Sequence, residues 1–157
     1  MAGKMMRGIV CLLIAGALLL AGCQSPSTGS QANTANVPKP SNPGGTGPAV
    51  NLTGNAQDGA QVFKDNCVPC HGDQGKGGVD NPGSTRGTVP SLNPIDPALA
   101  NSDNAIFARN IDLFIEHGSK PAGDNPTRQM LSFGDQKMLT PQQIADVIAY
   151  IISLNNK

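Results

Sequence analysis

Two thiols three positions apart, with an imidazole directly after the second, are the most chemically loaded residues in the chain. They are Cys67-Val68-Pro69-Cys70-His71. This C-x-x-C-H pattern reads as covalent attachment of haem c. Two thiols at that spacing can reach the two vinyl groups of one porphyrin, and the adjacent His71 then lies beneath the iron as an axial ligand. Covalent attachment keeps a cofactor in a protein that works outside the cytoplasm. Two other chemistries use paired cysteines. A thioredoxin-like redox pair wants a βαβ context, and the sequence offers none. A zinc site wants a further Cys or His pair, and His117 is the only other histidine.

An axial His71 raises the question of a sixth ligand. The candidates are a methionine, His117, an open or solvent-bound position, or another group. Beyond the N-terminal segment the methionines are Met130 and Met138. Met130 lies in a polar loop, Asn125 to Gly134, between two predicted helices, where it can reach over the far haem face. Met138 stands just before the last predicted helix and could simply pack. His117 has another explanation, because an imidazole at a helix C-terminus favours the dipole and bonds the last carbonyls.

Three helices must position these groups. The first is predicted from about Asn55 to Cys70, with Asn55 as N-cap and Gly59, Phe63 and Cys67 on one face. The second runs from Ser102 or Asp103 to His117, with an apolar stripe through Ile106, Phe107, Asn110, Ile111, Phe114 and Ile115, and Gly118 ends it. The third opens on the capping box Thr140-Pro141-Gln142-Gln143 and buries Ile144, Val147, Ile148, Ile151 and Ile152. No alternating strand is visible. The expected fold is a small all-α domain, residues 54–157, with long loops wrapped around one cofactor. Composition agrees: 19 Gly, 13 Pro, four Phe, one Tyr and no Trp make a thin core, which a buried porphyrin would fill.

The N-terminus reads as a targeting segment. Lys4 and Arg7 precede an apolar run from Ile9 to Leu20, which is short for a membrane span of about 20 residues. Leu20-Ala21-Gly22-Cys23 follows and looks like a bacterial lipobox. Residues 1–22 are thus expected to be a lipoprotein signal peptide, with diacylglycerol on Cys23; an uncleaved membrane anchor is the other reading. Either places the domain on the extracytoplasmic face of a membrane. Cys11 leaves with the leader, so no thiol remains for a disulfide. Residues 23–53, rich in Ser, Pro, Asn and Gly, are expected to form a disordered tether spanning roughly 30 Å root-mean-square and about 100 Å when straight. Losing Lys4 and Arg7 leaves nine basic residues against eleven acidic ones, so nothing points to nucleic acid.

From Gly54 to Asn155 the sequence resembles class I cytochromes c. Gly59-x-x-x-Phe63-x-x-x-Cys67-x-x-Cys70-His71-Gly72 is similar to that family's first helix and haem motif, and Val89-Pro90-Ser91-Leu92 to its Pro-x-Leu segment. The resemblance implies that the Pro90 carbonyl orients His71, that Leu92 lines the haem, and that Met130 is the second axial ligand. It also implies that Tyr150 of the last helix packs against Gly59. Leu131 stands where the family usually has Pro after the ligand methionine. His/Met ligation leaves no open iron position and raises the potential, which implies outer-sphere electron transfer. Asp112–Pro121 and Tyr150–Asn155 further resemble the monohaem lipoprotein cytochrome of alternative complex III. The expected protein is therefore a membrane-tethered electron carrier or the cytochrome subunit of a respiratory or photosynthetic membrane complex. Its expected partners are redox proteins. A haem enzyme or gas sensor with an open sixth position is the alternative, and a structural subunit using haem as a folding core is a third.

Overall fold

The structure, a computed structural model, describes residues 37–156. The expected signal peptide, Cys23 and the first part of the tether fall outside them. Four α-helices follow one another: α1 (Ala56–Asn66), α2 (Val68–His71), α3 (Asn104–His117) and α4 (Pro141–Asn155). Short 3-10 turns lie at Pro48–Asn51 and Asp73–Gly75. Among the described residues there is no strand, only the isolated antiparallel bridges Asp80–Thr88 and Ser119–Met130. No helix among them is long and apolar enough to cross a membrane. The small all-α fold expected from the sequence is the one observed.

The caps act where the sequence places them. Asn55 Oδ1 accepts from Gln57 N at 2.9 Å, and Asp103 Oδ1 from Ala105 N at 2.8 Å. At α4 the box is reciprocal, with Gln143 N donating to Thr140 Oγ1 at 3.3 Å and Thr140 N to Gln143 Oε1 at 2.9 Å. The single first helix expected from the sequence is split, however. Pro69 has no N–H to give to the carbonyl four residues back, so α1 stops and Cys67 starts a separate turn, α2.

Helix α4 packs against both α1 and α3. Phe63 from α1, Phe107, Ile111 and Ile115 from α3, and Ile144, Val147, Ile148, Ile151 and Ile152 from α4 form one buried cluster, joined by Phe133 and Leu139 from the loop before α4. Gly59 lets α1 approach so closely that a Cβ there would collide with the Asp146 carbonyl. Tyr150 meets the Phe63 ring, with centroids 5.3 Å apart, while backbone of Asp146 and Val147 fills the space at Gly59.

The packed body also begins before the expected boundary at Gly54. Ala49 is buried, Ser41 and Asn42 bond the end of α3, and Gly47 N donates to Asp112 Oδ2 at 2.7 Å. Polar side chains and backbone make most of these contacts, so apolar periodicity carries no trace of them.

Candidate haem-binding site

Helix α2 brings the motif residues together. Cys67 N donates to Phe63 O at 2.8 Å and closes α1; the Cys67 carbonyl then accepts from both Cys70 N at 3.1 Å and His71 N at 2.8 Å. One tight turn thus carries both thiols and the imidazole, and all three residues are half-buried. Burial, with the neighbouring Cys70 thiol adding to it, pushes the Cys67 thiol up to about 12.

His71 Nδ1 lies 3.1 Å from the Pro90 carbonyl oxygen. A carbonyl can only accept, so Nδ1 carries the proton and the lone pair sits on Nε2. Burial lowers the His71 pKa, against the opposing pull of the Pro90 bond, and this favours the neutral, metal-binding form. The long loop from Gly72 to Val89 returns to its start to make this bond. Gly77 N donates to His71 O at 2.7 Å, and Val89 N to Val79 O at 2.8 Å. At Gly77, in the left-handed region at φ 70°, a Cβ would collide with Ser91 backbone, so glycine is required for Pro90 to reach His71. Leu92 follows, half-buried against the core, with its N–H on Gly75 O at 2.8 Å.

Met130 is held by backbone. Ser119 N donates to Met130 O at 3.1 Å and Met130 N to Ser119 O at 2.8 Å, while Phe133 N donates to Ile115 O at 2.9 Å. The side chain is half-buried against the core cluster. A residue that sequence reasoning missed fixes the approach to it. Asn81, 1 % exposed, accepts from Arg128 N at 2.8 Å and donates to Arg128 O at 3.0 Å, imitating a strand partner with one side chain. Its only sequence signal is an Asn in a Gly-rich loop, which reads as a turn residue.

The other two side-chain candidates are placed differently. Met138 is 48 % exposed. His117 is buried, with Nδ1 2.9 Å from Asp135 Oδ2 and Nε2 2.7 Å from Gly45 O, so both ring nitrogens are taken. The Asp135 bond, with the Gly45 carbonyl second, holds its pKa above the ordinary histidine value.

The donor set fits a covalently held haem. Two thiols and a tautomer-fixed imidazole share one turn, and Leu92, Leu99 and Met130 lean on the core while keeping accessible apolar surface. No group of three His, Cys, Asp or Glu among the described residues could hold a bare metal ion.

The profile of the cytochrome c family matches residues 56–155. The chain belongs to that family. Cytochromes c carry haem c covalently, typically one per domain, and Cys67 and Cys70 stand at the spacing this requires. The chain is 38 % identical over 98 residues to the cbb3-type cytochrome c oxidase subunit FixP of Sinorhizobium medicae strain WSM419, covering 61 % of this chain and 29 % of the relative. It is 36 % identical over 98 residues to the subunit of the same name from Rhizobium meliloti strain 1021, again 61 % and 29 %. The match thus spans about three-tenths of the length of these relatives. No solved structure matches significantly. As a cytochrome c domain, the chain is an electron-transfer module.

Proposed function

We propose that the chain is a membrane-tethered monohaem cytochrome whose iron is held by His71 Nε2 and Met130 Sδ, working by outer-sphere electron transfer. The observation that carries this reading is that Met130 is held by backbone bonds and half-buried against the core, whereas both His117 ring nitrogens are bonded and Met138 is largely exposed. The haem, when bound, supplies the one-electron chemistry. The chain's own residues do the rest. Cys67 and Cys70 retain the cofactor, Pro90 fixes the His71 tautomer, and Leu92 helps to exclude water. With His71 and Met130 both holding the haem, no protein ligand would have to leave in turnover, which suits electron transfer and not substrate binding.

Lipid on Cys23 would hold the protein at the extracytoplasmic membrane face. The working partner would be a membrane redox complex: the names of the relatives favour a terminal oxidase, and the likeness to the alternative complex III lipoprotein favours a quinol-oxidising one. Purification of the native protein from membranes tests this part. Co-migration with either complex supports a subunit, and recovery as a free lipoprotein supports a carrier. Recovery in the soluble fraction without lipid would overturn the tether. The closed site is tested by carbon monoxide. The reduced protein is expected to leave it unbound; rapid binding would instead establish the haem-enzyme or gas-sensor reading.

A further inference from the structure

We infer that Ser41–Gly47 is a clasp that positions Met130, gripping the end of α3 at the residues that hold the Met130 loop, with His117 as its pin. The inference rests on Met130 being an iron ligand.

Three linked contacts support it. First, Ser41 N donates to Ser119 Oγ at 3.1 Å, and Lys120 N returns a bond to Ser41 Oγ at 2.7 Å. Ser119 is the residue whose backbone pairs with Met130. Second, Asn42 Nδ2 donates to the His117 carbonyl at 2.7 Å, satisfying one of the free carbonyls at the end of α3. Third, the His117 ring joins two segments far apart in sequence. Its Nε2 meets Gly45 O of the clasp and its Nδ1 meets Asp135 Oδ2 of the loop that carries Met130. Both partners only accept, so the ring makes both bonds at once only as the imidazolium.

The surroundings favour that charge. Asp135 faces His117 from the Met130 loop, and Glu116 and Asp112 act from its own helix, while the clasp presents the Gly45 carbonyl and the Gly47 N–H. The backbone comes so close that a Cβ on Gly44 would enter the imidazole, and one on Gly47 would meet the Glu116 carboxylate. A passive spacer needs none of this. The tether therefore runs directly into the brace of the ligand loop, so whatever orders or displaces residues 41–47 acts on the sixth ligand.

The test uses full-length, haem-loaded protein, oxidised, and follows the weak red sulfur-to-iron absorption band as pH is raised, together with the reduction potential. Gly44→Ala drives a methyl into the His117 ring, and Asp135→Asn removes the carboxylate while keeping its shape. Both are expected to lose the band at a pH about one unit lower than wild type, the shift given by a tenfold weaker hold on the loop. Both should also lower the potential, because sulfur ligation raises it. Ser41→Ala, a milder surface change, should move both in the same direction by less and serves if either variant fails to load haem. Variants that melt earlier yet keep the wild-type band midpoint and potential would reduce the clasp to a stabilising contact and overturn the inference. Met130→Ala separates the two layers. A wild-type band that survives Met130→Ala sinks the ligand assignment and the clasp with it; a band lost in Met130→Ala but unmoved by the clasp variants sinks the clasp alone.

Discussion

His71 and Met130 are held by different kinds of structure. His71 sits on a helical turn four residues after the first haem thiol, and a single carbonyl, from Pro90, sets its ring. Met130 sits in a loop pinned by Asn81 through Arg128, by Ser119, and by Ile115 through Phe133. The first side concentrates its chemistry in five consecutive residues. The second is assembled from residues distant in sequence, and backbone groups make most of its bonds. A locally built site should survive damage elsewhere in the fold. One built from distant contacts should fail before the helices do.

The largest expected effect removes the distinction. Phe63 of α1, 1 % exposed, packs against Tyr150 of α4. Phe63→Ala should cost about 3–5 kcal/mol and lower both sides together, read as a single shifted chemical-denaturation curve. Asn81→Ala should separate the two sides. It leaves Arg128 N and O without their partners, at a cost of about 1–3 kcal/mol. Hydrogen exchange should then show lost protection around residues 127–130 while α1 and α4 stay protected. Equal loss in α1 would contradict the two-part picture.

On the Met130 side, pH should act through His117. The folded-state pKa of His117 is raised, first by the Asp135 bond. Its contribution is therefore complete below the unfolded value of about 6.5 and is lost as pH rises through the higher folded value. Asp112 and Glu116, both raised first by burial, add a penalty that also grows with rising pH. Melting temperature should fall as pH rises across neutrality, and His117→Gln should flatten that slope. The smallest effect is expected at Pro90. The bond to His71 uses a carbonyl that every residue has, so Pro90→Ala should leave haem content and potential close to wild type. A large fall in potential would show that the proline ring itself is needed.

Sequence and structure agree at most places where the signal is local, the exception being Pro69, which splits the expected first helix. Asn55, Asp103 and Thr140 cap their helices as their types predict, and the apolar stripe of α3 buries Phe107, Ile111 and Ile115. The Pro90 carbonyl lies within hydrogen-bond reach of His71, and Leu92 packs against the core. The unread parts are those in which polar groups bond backbone across long separations. Asn81 looks like any turn residue, and its partner lies 47 positions on. Ser41 and Asn42 sit in a stretch whose composition reads as disorder, yet they bond the end of α3. His117 reads as a helix-end charge, and only the fold brings Asp135 and Gly45 to its two nitrogens.

The central claim is that Met130 closes the iron site. Proton NMR of the reduced, diamagnetic protein tests it most directly, because a methionine methyl held over a porphyrin is driven far upfield by the ring current. One such methyl singlet is expected in wild type, kept in Met138→Ala and lost in Met130→Ala. A spectrum with no such singlet, or one that persists in Met130→Ala, would contradict the account.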